Sequence, residues 1–190
     1  MIKVNMRQQM SEEFFDQKEK KALKLTVRRD VYLLVKKFAG CHFRELERLS
    51  KLPTGIIKYH LNYLAKHGLI NEIKNNNNLR YFPKQFSSEN KKLMGLLRQE
   101  SIRRILLCLL VNDKCIHEQL TAFVKLSPST VSWHLKKLRE NNVVEFMIIG
   151  EKTHYHLLAD KKEIVNLLIT YRESFFDAMV ERVIEMWEIE

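Results

Sequence analysis

Glycine and proline are scarce here, five and three in 190 residues. Their scarcity excludes collagen-like and low-complexity classes and, with 45% hydrophobic residues, points to a helix-rich globular chain long enough for one or two cores. No run of about 18 apolar residues occurs, and the start, MIKVNMRQQMSEEFF, lacks the apolar centre of a secretory signal. No membrane partner is expected, and the expected location is cytoplasmic. Cysteine is limited to Cys41, Cys108 and Cys115, an odd number without the C-x-x-C spacing of zinc ribbons. Free thiols in a reducing compartment follow, with no structural disulfide, no metal and no cofactor. There is no phosphate-binding glycine loop and no linked set of nucleophile, base and orienting group, so the chain does not read as an enzyme.

Positive charge is abundant. Thirty-three Lys and Arg against 23 Asp and Glu give a formal net charge of +10, which calls for a polyanionic partner.

Sliding the chain against itself aligns residues 28–83 with 102–157 at a constant offset of 74, without a gap. Ten positions are identical: Arg29/Arg103, Leu33/Leu107, Cys41/Cys115, Leu46/Leu120, Lys51/Lys125, Leu52/Leu126, His60/His134, Leu61/Leu135, Leu64/Leu138 and Tyr81/Tyr155. Apolar positions such as Ile57/Val131 and Ile70/Val144 repeat as well. Each unit reads as three helices and a hairpin. Val31, Leu34, Val35 and Phe38 mark a first amphipathic helix, and Phe43, Leu46 and Leu49 a short second one. The third opens after Leu52-Pro53-Thr54, with Thr54 as capping residue, buries Ile57, Leu61 and Leu64, and stops at His67-Gly68. In the second unit Ser127-Pro128-Ser129 opens the matching helix, which buries Val131, Leu135 and Leu138 and stops at Asn141-Asn142. A two-stranded wing follows each: an apolar pair, a polar tip (NNNNLR or GEKTH) and an aromatic return.

The predicted fold class is therefore mainly α with small β wings: two tandem winged helix-turn-helix units plus a long C-terminal helix. A steeply angled second helix of this kind fits the major groove of double-stranded DNA. Recognition helices of about 54–66 and 128–140 are expected there, with wings on backbone or minor groove. With the apolar stripe inward, Thr54, Gly55, Lys58, Tyr59, Asn62 and Lys66 face outward in unit one. Ser129, Thr130, Ser132, Trp133, Lys136 and Lys137 do so in unit two, with no acidic residue before Glu140. Tyr59 and Trp133 either pack under the wing or contact sugar or a thymine methyl. The first wing offers Lys74, Asn76, Asn77 and Arg80, the second Lys152 beside Glu151. Lys58, Lys66, Lys74 and Arg80 are expected on one face. Unit one carries eleven basic and four acidic residues, unit two eight and five, so unit one should supply more of the salt-dependent affinity.

The runs HFRELERLSKLPTGIIKYHLNYLAKHGLI with NNLRYFP, and SPSTVSWHLKKLRENNVV with EKTHYHL, resemble the archaeal tandem winged-helix regulators related to the arsenic-repressor and multiple-antibiotic-resistance superfamilies. The resemblance covers about residues 28–171. It implies transcription regulation in a nucleoid-associated, cytoplasmic setting, with transcription machinery as a further partner. It also implies that His60 and His134 stand at the edge of the DNA face, contacting phosphate or packing beside the wing. The closely spaced Cys and Asp of the arsenic-repressor metal box are absent, which puts metal sensing in doubt. Cys41 and Cys115, despite nearby His42 and His117, read better as small buried residues in the turn entering the second helix than as zinc ligands.

Beyond Asp160, Ile164, Leu168, Tyr171, Phe175, Met179, Val183 and Trp187 recur at helical spacing, in a tail that from Asp160 onward carries eight acidic and four basic residues. It should face another subunit or the body of the same chain. Homodimerisation through Leu168, Tyr171, Phe175, Met179, Val183 and Trp187 is the preferred reading, and packing on its own first unit the alternative. The expected domains are an N-terminal arm 1–27 containing Phe14 and Phe15, a first winged helix-turn-helix 28–83, a helical linker 84–101 capped by Ser87-Ser88, a second winged helix-turn-helix 102–157, and a C-terminal helix 158–190. Two readings compete with specific regulation: a winged-helix interaction scaffold and a nonspecific nucleoid-associated DNA-binding protein.

Overall fold

The computed structural model describes residues 21–75, 78–175 and 177–188. The expectations for the N-terminal arm, including Phe14 and Phe15, and for Asn76 and Asn77 lie outside the described residues.

Two compact units form. The first contains α1 (Thr26–Lys37), β1 (Cys41–His42), α2 (Phe43–Ser50), α3 (Thr54–Lys66), β2 (Ile70–Asn75) and β3 (Asn78–Pro83). The second contains α4 (Ser88–Leu97), α5 (Glu100–Val111), β4 (Cys115–Ile116), α6 (His117–Val124), α7 (Pro128–Glu140), β5 (Val144–Ile149) and β6 (Lys152–Leu157). It ends with α8 (Lys161–Thr170), α9 (Arg172–Phe175) and α10 (Ala178–Glu188). Residues 37–40 cluster with the second unit.

Every element from α1 to β3 recurs 74 residues later with the same bounds, from α5 to β6. The recurrence extends to backbone conformation. Lys51 and Lys125 end the short helices in the left-handed region, at φ 54° and 56°, where their N–H groups donate to the carbonyls of Glu47 and Thr121. After the recognition helices the left-handed residues are Gly68 (φ 68°) and Asn142 (φ 56°). These are the residue types that tolerate this region best, and they stand where the sequence puts them.

The wings are three-stranded, ordered β1-β3-β2 and β4-β6-β5. The two-residue strands β1 and β4 were not foreseen. Cys41 pairs with Tyr81 and Cys115 with Tyr155, so both cysteines sit in strands rather than in a turn. Both are buried, at 0% and 2% exposure. A small apolar side chain there lets the strand lie flat on the core.

In the first core Val31, Tyr32 and Val35 of α1 join Ile57, Leu61 and Leu64 of α3, with Leu69, Ile70 and Phe82 from the wing. In the second, α5 is buried almost all round, from Ile102 to Leu110. The C-terminal segment causes this difference. Leu33 is 42% exposed whereas its counterpart Leu107 is fully buried, because α10 packs on α5.

The segment after Asp160 departs from the single long helix expected. Among the described residues three helices occupy it, interrupted at Tyr171 and before Ala178. Asp160 caps α8 by accepting from the Lys162 N–H at 2.9 Å, and Asp177 accepts from the Met179 N–H at 3.1 Å. Leu168, Phe175 and Val183 are buried, and Tyr171, Met179 and Trp187 are half-buried. These six residues, expected at a dimer interface, lie on helices that belong to the second unit. Leu168, Phe175 and Val183 are thus covered by their own unit, whereas Tyr171, Met179 and Trp187 keep part of their surface open.

Arg103 fastens this segment to α5. Its Nη2 lies 2.9 Å from Asp177 Oδ2, its Nε donates to the same oxygen at 3.0 Å, and its Nη1 donates to the Leu97 carbonyl at 2.8 Å. The guanidinium also lies 5.1 Å from the centre of the Phe175 ring. Among the described residues no helix is long and apolar enough to cross a membrane.

Candidate nucleic-acid interface

Each recognition helix buries one stripe and exposes the rest. On α3 the buried residues are Ile57, His60, Leu61 and Leu64; on α7 they are Val131, His134, Leu135 and Leu138. This i, i+3, i+4, i+7 pattern is the core face of an amphipathic helix. Thr54, Gly55, Lys58, Tyr59, Asn62 and Lys66 are exposed on α3. On α7, Ser129, Ser132, Trp133 and Lys136 are exposed, and Thr130 and Lys137 are half-buried. α3 holds no acidic residue; α7 holds only Glu140, at its last position and 4.0 Å from Lys136.

Tyr59 and Trp133 occupy the same position in the two units and are 59% and 58% exposed, too open for packing beneath a wing. Lys137 turns toward its own unit: its Nζ donates to Gln99 Oε1 at 2.9 Å and lies 5.4 Å from the Trp133 ring centre.

His60 and His134 are buried, which favours the packing role over the phosphate contact among the two expected. They are 5% and 8% exposed, each with a buried Nδ1 that has no hydrogen-bond partner among the described residues. Burial lowers both imidazole pKa values, helped by Arg28 near His60 and by Lys137 near His134. The physical reason is spacing: each stands three residues after a buried aliphatic, inside the apolar stripe.

The helix entries differ. Ser127 caps α7, accepting from the Thr130 N–H at 3.3 Å, and its hydroxyl lies 3.0 Å and 2.7 Å from those of Ser129 and Thr130. In the first unit Thr54 does not cap. Pro53 holds the capping position, and the Thr54 hydroxyl donates to Glu47 Oε1 on α2. The second unit links its two helices by another route, with His117 Nε2 and Ser132 Oγ 2.9 Å apart.

Strand alternation divides the first wing's cations. Lys74 pairs with Leu79 across the ribbon, and Arg80 is the next residue, so Lys74 and Arg80 lie on opposite faces. Lys74 is exposed and Arg80 half-buried. The four cations expected on one face are thus not all together. The second wing exposes Lys152 but also large apolar residues, Ile148 at 71% and Ile149 at 47%. Ile148 stands at the repeat position of Lys74, a contrast visible in the sequence once the offset is fixed.

Three similarities bear on this geometry. Residues 25–94 match a family described as an N-terminal HTH domain, and residues 98–145 match one described as winged helix-turn-helix DNA-binding. The chain carries two helix-turn-helix domains. Over 139 residues, 73% of its length, it is also 29% identical to an uncharacterized HTH-type transcriptional regulator of Methanocaldococcus jannaschii. The aligned part is 35% of that relative, so the chain spans only about a third of the relative's length. In helix-turn-helix terms α2 and α6 are the bracing helices and α3 and α7 the second helices, whose exposed residues are those named above.

Three features of the helix-turn-helix surface escape sequence reasoning. The left-handed Lys51 and Lys125 place an exposed cation in each turn; their identity across the repeat is the signal that could have found them. His117 has no such signal, because its repeat counterpart is Phe43. Arg139 is exposed and lies 4.3 Å from the Phe146 ring centre, which only the fold of the wing reveals.

Proposed function

We propose that this chain is a sequence-specific, double-stranded DNA-binding transcription regulator that inserts α3 and α7 into the major groove. The observation that carries this is the exposed face of the two second helices. Thr54, Lys58, Tyr59 and Asn62 on one, and Ser129, Ser132, Trp133 and Lys136 on the other, combine hydrogen-bond donors, cations and one aromatic each. A merely solvated helix face mixes signs; these two are almost free of carboxylates. Lysines serve phosphate, Asn and Ser can reach base edges, and the aromatics can meet a sugar or thymine methyl. Lys74 and Lys152 bring the wings to the backbone. The buried His60 and His134 take no part in contact. The reading needs no dimer, since one chain has two second helices, and regulation acts through occupancy of chromosomal DNA in the cytoplasm.

The test is Lys58→Ala combined with Asn62→Ala. Base preference should relax by about 1–3 kcal/mol per lost base contact while the fold is kept. Unchanged preference refutes the role given to α3.

A second reading has one observation in its favour. The apolar tip formed by Ile148 and Ile149 suits a protein partner better than phosphate. Replacing both with Lys separates the two: a DNA-contacting wing gains affinity, and a partner-binding wing loses its partner.

A further inference from the structure

We propose that Cys108 and Cys115 form a reversible thiol–disulfide pair that, on oxidation, shifts the second recognition helix. Their Sγ atoms are 3.7 Å apart, one on α5 and the other in β4. A disulfide needs about 2.0 Å, so the sulfurs must approach by roughly 1.7 Å. The connecting residues Asn112, Asp113 and Lys114 are all exposed; their ties, the Asn112 amide on the Cys108 carbonyl at 3.0 Å and the Asp113–Lys161 ion pair, face solvent and can rearrange.

Movement of Cys115 does not stay local. Ile116 follows it as the capping residue of α6, and His117, the first residue of α6, holds Ser132 of α7 at 2.9 Å. Cys115 also pairs with Tyr155 of the wing. A pull toward α5 is therefore handed to the bracing helix, the recognition helix and the wing together.

The repeat supplies an internal contrast. Cys41 matches Cys115, but the position matching Cys108 is Leu34. Packing explains a cysteine at the strand position in both units; it does not explain the second sulfur, which only the second unit has.

Burial raises both thiols, Cys108 to about 12, and either Sγ can donate in the hydrogen bond between them. Either sulfur can open the exchange, and the Cys115 case is representative. With a small disulfide as oxidant, the Cys115 thiolate attacks one sulfur and expels the other half as a thiolate, giving a mixed disulfide. That thiolate takes the Cys108 proton, and Cys108 sulfur attacks Cys115 Sγ and expels the remaining half as a second thiolate, which is protonated by solvent. Two protein thiols are oxidised and one small disulfide is reduced to two thiols. Excess thiol reverses the sequence.

The experiment treats the full chain with oxidised glutathione or with dithiothreitol, then denatures it and alkylates with N-ethylmaleimide. Reduced protein should take up adducts on all three cysteines, and oxidised protein on Cys41 alone, with a mass about 2 Da lower before alkylation. Cys41→Ala should still lose both remaining adducts on oxidation, with the loss of about 2 Da, whereas Cys108→Ala should show no such loss, its Cys115 ending as a free thiol or as a mixed disulfide about 305 Da heavier. On native protein, hydrogen exchange should change in α6 and α7 and not in α3. Retention of all three adducts, a bridge to Cys41, or a closed bridge with unchanged exchange in α6 and α7 overturns the proposal. If Cys108→Ala does not fold, the adduct count on wild type and Cys41→Ala decides alone. The consequence for DNA rests on the proposed function: oxidised protein should bind duplex DNA about tenfold more weakly, a change of about 1.4 kcal/mol. Equal binding by both forms overturns the switch; no binding by either refutes the proposed function and leaves the thiol result standing.

Discussion

Arg103→Ala should unfold the second unit far more easily than Arg29→Ala unfolds the first, although the two arginines are identical across the repeat. Arg103 is 5% exposed, and its three nitrogens all bond, two to Asp177 and one to the Leu97 carbonyl. Truncation leaves Asp177 largely buried without its countercharge and the Leu97 carbonyl without this donor. Breaking such a pair from one side costs about 3–5 kcal/mol, most of it the uncompensated charge rather than the pair's own worth. Arg29 is exposed, so its loss should stay within about 0.5 kcal/mol. Both tryptophans, Trp133 and Trp187, lie in the second unit, so urea unfolding followed by tryptophan fluorescence reads that unit alone. Arg29→Ala should leave that transition unmoved and Arg103→Ala should shift it strongly. A loss under about 1 kcal/mol for Arg103→Ala would refute the reasoning, because water or rearrangement would then be replacing the guanidinium.

Other outcomes follow from the same geometry. Tyr59→Ala and Trp133→Ala should leave stability within about 0.5 kcal/mol yet weaken duplex binding, as paired urea and DNA titrations would reveal. His60 and His134 have pKa values lowered by burial, so the unfolded chain binds more protons than the folded one below about pH 6.5. Stability should therefore fall as pH drops through 6.5 toward the folded pKa values and then level; urea midpoints for His60→Leu with His134→Leu should show a flatter pH dependence in that window. Lys51→Gly and Lys125→Gly relieve left-handed residues and should stabilise by about 0.5–1 kcal/mol in urea unfolding.

The repeat was readable in the sequence because offset and apolar spacing are one-dimensional properties that folding preserves, as Ile57/Val131 and Leu64/Leu138 illustrate. Gly68 and Asn142 were readable because few residues accept a left-handed backbone. The burial of His60 and His134 was legible in the spacing, because each stands inside the apolar stripe, whereas the phosphate contact was only what the resemblance implied. The tail was misread as one helix because its spacing of three and four runs straight across the breaks. Asp177 ahead of Ala178 was the capping signal that marked the last break. The different fates of Arg29 and Arg103, or Leu33 and Leu107, were not readable at all. They depend on α5 receiving the C-terminal cover, and that is decided by tertiary packing. The opposite faces of Lys74 and Arg80 follow from strand register, which charge counting ignores.

The most direct test of the central claim is selection of bound sequences from random duplex DNA at ~150 mM salt, where nonspecific binding is suppressed. The account predicts a recovered motif whose information is lost in part by Lys58→Ala with Asn62→Ala, and in another part by Ser129→Ala with Ser132→Ala. Retention of DNA with no motif, or a motif indifferent to both pairs of substitutions, would contradict it.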